Sequence, residues 1–192
     1  MEVFSYLVIY IALILGMAVA QIIHGLATIV RARDRVKWYW LHTAWGIGIL
    51  FYTAVYWWVL IAWRHAETFG LFVYLFLLVG PCLFNILATL FFPQVADQAV
   101  VDLRKYYYDT RKWVFPILAT IVLIELVDIM LHGVFATFGF LESLPFILTT
   151  VGLAVLIFSC ALTRNQVHHA IVFIVAVALA FLLMLGSGLG AW

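Results

Sequence analysis

The chain has 192 residues, of which 68% are hydrophobic and only 10% charged, against about 45–50% apolar and about 25% charged in soluble domains. With a mean hydropathy of +1.18 and several apolar runs longer than the about 18 residues that mark a bilayer span, a water-soluble globule is excluded. The net charge of +1 gives nucleic-acid binding no electrostatic footing, and the information lies in where the charges fall.

Apolar runs between charged punctuation predict six spans, at 4–30, 38–63, 69–92, 113–138, 143–163 and 167–190. Their length and uniform apolarity fit helices rather than barrel strands, which alternate over about ten residues. The expected fold is therefore an all-α polytopic membrane protein, one six-helix transmembrane domain over residues 1–192 with short connections. Ala18-Val19-Ala20 resembles an export cleavage site, yet Glu2 precedes the first run with no Lys or Arg, so an uncleaved first span is expected.

Arg31, Arg33, Arg35 and Lys37 fall in the first connection, Arg104, Lys105, Arg111 and Lys112 in the third, and Arg164 in the fifth. Nine of the ten basic residues thus share one side, with Arg64 opposite. The positive-inside rule then places both termini outside the cytoplasm, in a bacterial-type inner membrane. Trp38, Trp40, Trp57, Trp58, Trp63, Trp113 and Trp192 stand near span ends, where indoles favour the water–lipid boundary. The segment 94–112 mixes apolar with charged residues, Tyr106-Tyr107-Tyr108 among them, and reads as a cytoplasmic interfacial helix. Ile23-His24-Gly25-Leu26-Ala27-Thr28 matches Leu131-His132-Gly133-Val134-Phe135-Ala136-Thr137 with one insertion, which suggests a three-plus-three inverted repeat.

Ionisable side chains inside a span are costly unless paired or wetted, so they point to function. Glu125, Asp128 and His132 follow one another at three and four residues on span four, on one helical face that lipid cannot solvate. Two neighbouring carboxyl groups at low dielectric do not both ionise without a cation beside them, which makes this face a proton or cation site. On span one, Ala12, Gly16, Ala20, His24 and Thr28 form a small-residue stripe expected to face protein. On span two, His42, Gly46, Ile49, Thr53 and Tyr56 share a face, with His42 at the depth of His24. Gln21 and Asn85 lie nearer the midplane and extend a polar ladder from the two histidines towards Glu125. Pro81 interrupts span three as a hinge candidate, while Pro116 stands near the expected start of span four, where proline is tolerated.

These residues predict a channel or small transporter for protons or another small cation, with Glu125, Asp128, His132, His24, His42, Gln21 and Asn85 along its path. A homo-oligomer is expected, because six helices enclose little volume and small-residue stripes suit helix contacts. The main alternative is a membrane redox protein with His24 and His42 as axial haem ligands. A further one is a non-catalytic assembly or sensor protein using the basic inner loops. An enzyme is not expected: no nucleophile elbow, phosphate loop or dinucleotide fingerprint occurs. Cys82 and Cys160 sit in apolar runs at no ligand spacing, so neither a metal nor, outside the haem reading, a cofactor is expected.

Overall fold

Apolar positions recurring every three or four residues close six helices among the described residues, which in the computed structural model are 2–60, 63, 70–94, 100–131 and 140–189. They are α1 (Glu2–Arg31), α2 (Trp40–Leu60), α3 (Leu71–Phe91), α4 (Leu103–Leu131), α5 (Phe140–Leu162) and α6 (Gln166–Leu189). Two short strands, β1 (Val36–Lys37) and β2 (Val101–Asp102), pair in parallel and tie the α1–α2 connection to the start of α4. Four helices, α1, α2, α3 and α5, are long and apolar enough to cross a membrane. Only 28–33% of the residues in their most apolar windows are buried, so most of that apolar surface faces outward, the reverse of what water selects.

α1 turns Leu7, Ile11, Leu15, Ala18, Ile22 and Ile29 inward, a seam repeating at three and four residues that runs along α3. α3 in turn packs on α4, α4 on α5 and α5 on α6, and α2 touches α1, α4 and α6. α1 finds its main partner in α3, whereas α4 finds its own in α5, so the helix pairings of the two halves do not correspond. The repeat suggested by the His-Gly match falls partly on residues 132–137, outside the described residues.

Two sequence expectations need correction. The separate interfacial helix over 94–112 does not form: residues 103–112 are the first turns of α4 itself, 100–102 are extended and 95–99 lie outside the described residues. No Gly or Pro breaks the chain between Leu103 and Pro116, and the Asp102 carboxylate accepts the Lys105 N–H at 3.0 Å, fixing the helix start there. Pro116 is consequently deep in α4, where its ring leaves the Lys112 carbonyl without an intrahelical donor. The small-residue stripe of α1 also points the other way: Ala12, Gly16, Ala20 and His24 are exposed, because larger apolar residues on the opposite face bury more surface against α3.

The glycine following His24 has a packing reason. Phe92, just past α3, is wedged between α1 and α2, and a Cβ at Gly25 would collide with its ring. On α2, a Cβ at Gly46 would sit 3.0 Å from the Phe92 Cζ. Gly16, by contrast, has open space around it. Gly25→Ala is predicted to destabilise the fold by about 1–3 kcal/mol through overpacking, and Gly16→Ala to be neutral or to stabilise it by up to about 1 kcal/mol through helix propensity. Unfolding of the two variants in matched detergent micelles checks the contrast.

Candidate functional site

The carboxyl pair of α4 turns into the bundle. Asp128 is buried, and the Oε1 atom of Glu125 is sealed from solvent. Three residues apart on the helix, they interact with Tyr52 and Tyr56, which stand four apart on α2. Trp63, beyond the end of α2, donates its indole N–H to Asp128 Oδ1 at 2.9 Å. α3 makes room at Gly80, where a Cβ would collide with the Tyr56 hydroxyl; the next residue, Pro81, removes one helical hydrogen bond. Phe84, fully buried, lies edge-on to the Tyr52 and Tyr56 rings at 5.3 and 5.2 Å and forms the inner floor of the cluster.

Satisfaction within this cluster is uneven. Asp128 has its indole donor, while Glu125 Oε1 and the Tyr52 hydroxyl are sealed from solvent beside each other, each the other's polar neighbour but without a well-formed hydrogen bond. Buried polar atoms are nearly always paired, and each one left alone costs about 1–3 kcal/mol. A proton on the carboxyl, a bound cation or a water molecule at this point would meet both needs. His132, expected on the same face, lies outside the described residues.

The remaining members of the expected ladder fall into separate groups. Gln21 and Asn85 do meet: Gln21 Nε2 donates to Asn85 Oδ1 at 3.4 Å, and Asn85 Nδ2 to the Ile14 carbonyl at 3.5 Å. Thr89, one turn on, donates to Gln21 Oε1 at 2.6 Å and was not anticipated from the sequence. Their amides are occupied with each other and with backbone, which makes the trio an α1–α3 clasp. Phe84, rather than a polar residue, is what α3 sends towards Glu125.

His42 and His24 stand in different surroundings. His24 is exposed on α1, whereas His42 is wholly buried among Phe91, Phe92, Tyr106 and Tyr107. A carbonyl only accepts, so the 2.9 Å contact from His42 Nε2 to Phe91 O assigns the proton to Nε2. The Tyr106 hydroxyl donates to Leu90 O at 2.9 Å. Together these side chains satisfy two of the end carbonyls that α3 cannot pair within itself, so His42 acts as a helix cap. That bond occupies Nε2, while Nδ1 is buried with no hydrogen-bond partner among the described residues. Among the described residues no group of three or more His, Cys, Asp or Glu side chains is placed to hold a metal.

Sequence reasoning missed a polar network at the same end of the bundle. His169 is fully buried: its Nε2 donates to Thr163 O at 3.1 Å, and its Nδ1 accepts from the Tyr107 hydroxyl at 2.8 Å. His168 Nε2 meets Ser159 Oγ at 2.7 Å, and the Tyr39 and Tyr108 hydroxyls are 3.0 Å apart. Burial, and then the bond to Tyr108, raise the Tyr39 pKa above its ordinary value, so this phenol stays neutral across the working pH range. The Tyr106–Tyr108 run and the His168-His169 pair were the available signals. Their partners lie too far along the chain for spacing to reveal.

Trp63→Phe is predicted to cost about 1–3 kcal/mol, since it strips a donor from a buried carboxyl. Tyr52→Phe removes the hydroxyl beside Glu125, a less well-formed contact than the indole bond, and should cost less, under about 1 kcal/mol. Chemical unfolding of the purified variants measures both.

The comparisons with known proteins add no relative: no family model, curated protein or solved structure matches this chain.

Proposed function

We propose that this chain is a multi-pass membrane protein that moves protons or another small cation through the Glu125–Asp128 site. The observation that carries the reading is the sealed Glu125 oxygen, beside the Tyr52 hydroxyl yet without a well-formed hydrogen bond, one helical turn from a second buried carboxyl. The Gln21–Asn85–Thr89 clasp, by contrast, joins helices by pairing its side chains with one another and with backbone. A site that loads and releases a cation needs oxygens left over.

Several features support the membrane part of the reading. The outward-facing apolar surface of α1, α2, α3 and α5 suits lipid, and nine of ten basic residues on one side orient both termini away from the cytoplasm of a bacterial-type inner membrane. α4 and α6 complete six crossings. The buried face of α2, with Phe84, Phe91 and Phe92 against it, closes the inner approach. That plug favours a gated transporter over an open pore, with α3 bending at Pro81 to admit the ion from the inner side. The exposed Ala12-Gly16-Ala20-His24 face of α1 supports self-association, since a second helix could approach it closely.

Reconstituted liposomes with an imposed potential and an internal pH- or cation-sensitive dye test the proposal. Wild-type protein is expected to carry H⁺, Na⁺ or K⁺ inward, and Glu125→Gln and Asp128→Asn to reduce flux to the level of empty vesicles while remaining folded. Wild-type rates in both variants, or no flux of these ions by the wild type, would contradict it.

A further inference from the structure

A second polar feature lies away from the carboxyl site, at the basic end of the bundle. The first turns of α4 and the α5–α6 connection enclose a pocket of 270 Å³ lined by Asp102, Arg104, Lys105, Tyr108, Asp109 and Arg164. Its two acids are already engaged. Asp102 caps α4 through the Lys105 N–H at 3.0 Å, and Asp109 Oδ1 pairs with Arg164 Nη2 at 3.4 Å, the only ion pair among the described residues. The Lys105 ammonium therefore has no carboxylate partner among them, and the Arg104 guanidinium rests over the Tyr39 ring, 5.9 Å from its centroid.

Behind Tyr108 is a cation that needs an anion. Arg111 is only 8% exposed; its Nη1 donates to the Tyr108 carbonyl, its Nε is sealed without a partner, and no carboxylate pairs with it among the described residues. A buried guanidinium without counter-charge is strongly unfavourable and draws a nearby anion. The level is also informative. Asp109 stands about 6 Å along α4 from Trp113, which is 70% exposed and suits the water–lipid boundary, so the pocket opens at headgroup height.

We propose that this pocket binds the phosphate of an anionic phospholipid in the cytoplasmic leaflet, with Arg104, Lys105 and Arg164 as its direct ligands and Arg111 adding attraction from behind Tyr108. Arg and Lys donors suit phosphate oxygens, and 270 Å³ admits a phosphodiester headgroup. Assignment of the leaflet rests on the orientation proposed above; the site itself is independent of ion flux. Soluble phosphate offers the same chemistry, and the experiment separates the two sources.

Thermal unfolding of the full-length protein in uncharged detergent, at about 150 mM salt to screen diffuse attraction, is followed while phosphatidylglycerol, phosphatidylcholine or inorganic phosphate is added. Phosphatidylglycerol is expected to raise the midpoint saturably, and phosphatidylcholine to leave it unchanged. Arg104→Gln with Lys105→Gln should require about tenfold more phosphatidylglycerol, from the loss of two headgroup-level cations. Arg31→Gln with Arg33→Gln, equal in charge but not lining the pocket, should respond as wild type. Arg164→Gln provides the same test should the double variant fail to fold, and Glu125→Gln should keep the lipid response even where it loses flux. An equal response to inorganic phosphate would overturn the lipid assignment in favour of a soluble ligand. No response to phosphatidylglycerol, or equal weakening by both double variants, would overturn the site.

Discussion

The constraint on which the structure depends is that an apolar surround cannot solvate a polar side chain, so pairing within the bundle is strongly favoured. α2 shows the consequence most clearly. Its His42, Gly46, Ile49, Thr53 and Tyr56 face is buried, and along it the helix caps α3 through His42, receives Phe92 at Gly46 and presents its tyrosines to the α4 carboxyls. Thr53 meets the same demand locally, donating to the Leu50 carbonyl at 2.6 Å. Trp45 adds edge-on contacts to Phe115 of α4 and Phe173 of α6, both at 5.2 Å between ring centroids. A single helix thereby links the polar groups of both ends.

The polar groups divide by how completely they are satisfied. Gln21, Asn85 and Thr89 close upon one another, and Tyr107, His169 and Thr163 form a second chain whose donors and acceptors match. Such groups hold helices together and fix their register. Glu125 and Tyr52 are different, because their buried oxygens adjoin without a well-formed hydrogen bond, at a place where two carboxyl groups share a helical face. Arg111, at the basic end, is a buried cation that no carboxylate pairs among the described residues. His42 Nδ1 and Trp45 Nε1 are also buried without a well-formed hydrogen bond, but they carry no formal charge; the Glu125 site and Arg111 have opposite polarity and separate positions, which is why a cation is proposed for one and a phosphate for the other.

Much of the fold was legible in the sequence, because hydrophobic length is read directly: five of the six predicted spans begin and end within about three residues of the observed helices. α4 departed at its start, since charged residues ended the apolar run at 113 while helix propensity and the Asp102 cap carried the helix back to Leu103. The α2 face and the inward turn of Glu125 and Asp128 were legible from helical spacing. The orientation of α1 was not, because its small-residue stripe and its larger apolar seam are both periodic, and the latter buries more surface. Trp63, Thr89 and His169 were also out of reach, because their partners lie 65, 68 and 62 residues away along the chain.

The central claim is that the α4 carboxyl pair exchanges a proton or takes up a cation in its place. Infrared difference spectroscopy of the protein in lipid, across a pH titration with and without added Na⁺ or K⁺, tests this directly. A protonated-carboxyl band that disappears reversibly as pH rises or as the cation is added, and that is missing from Glu125→Gln or Asp128→Asn, is the predicted result. A spectrum in which neither carboxyl responds to pH or cation would contradict it.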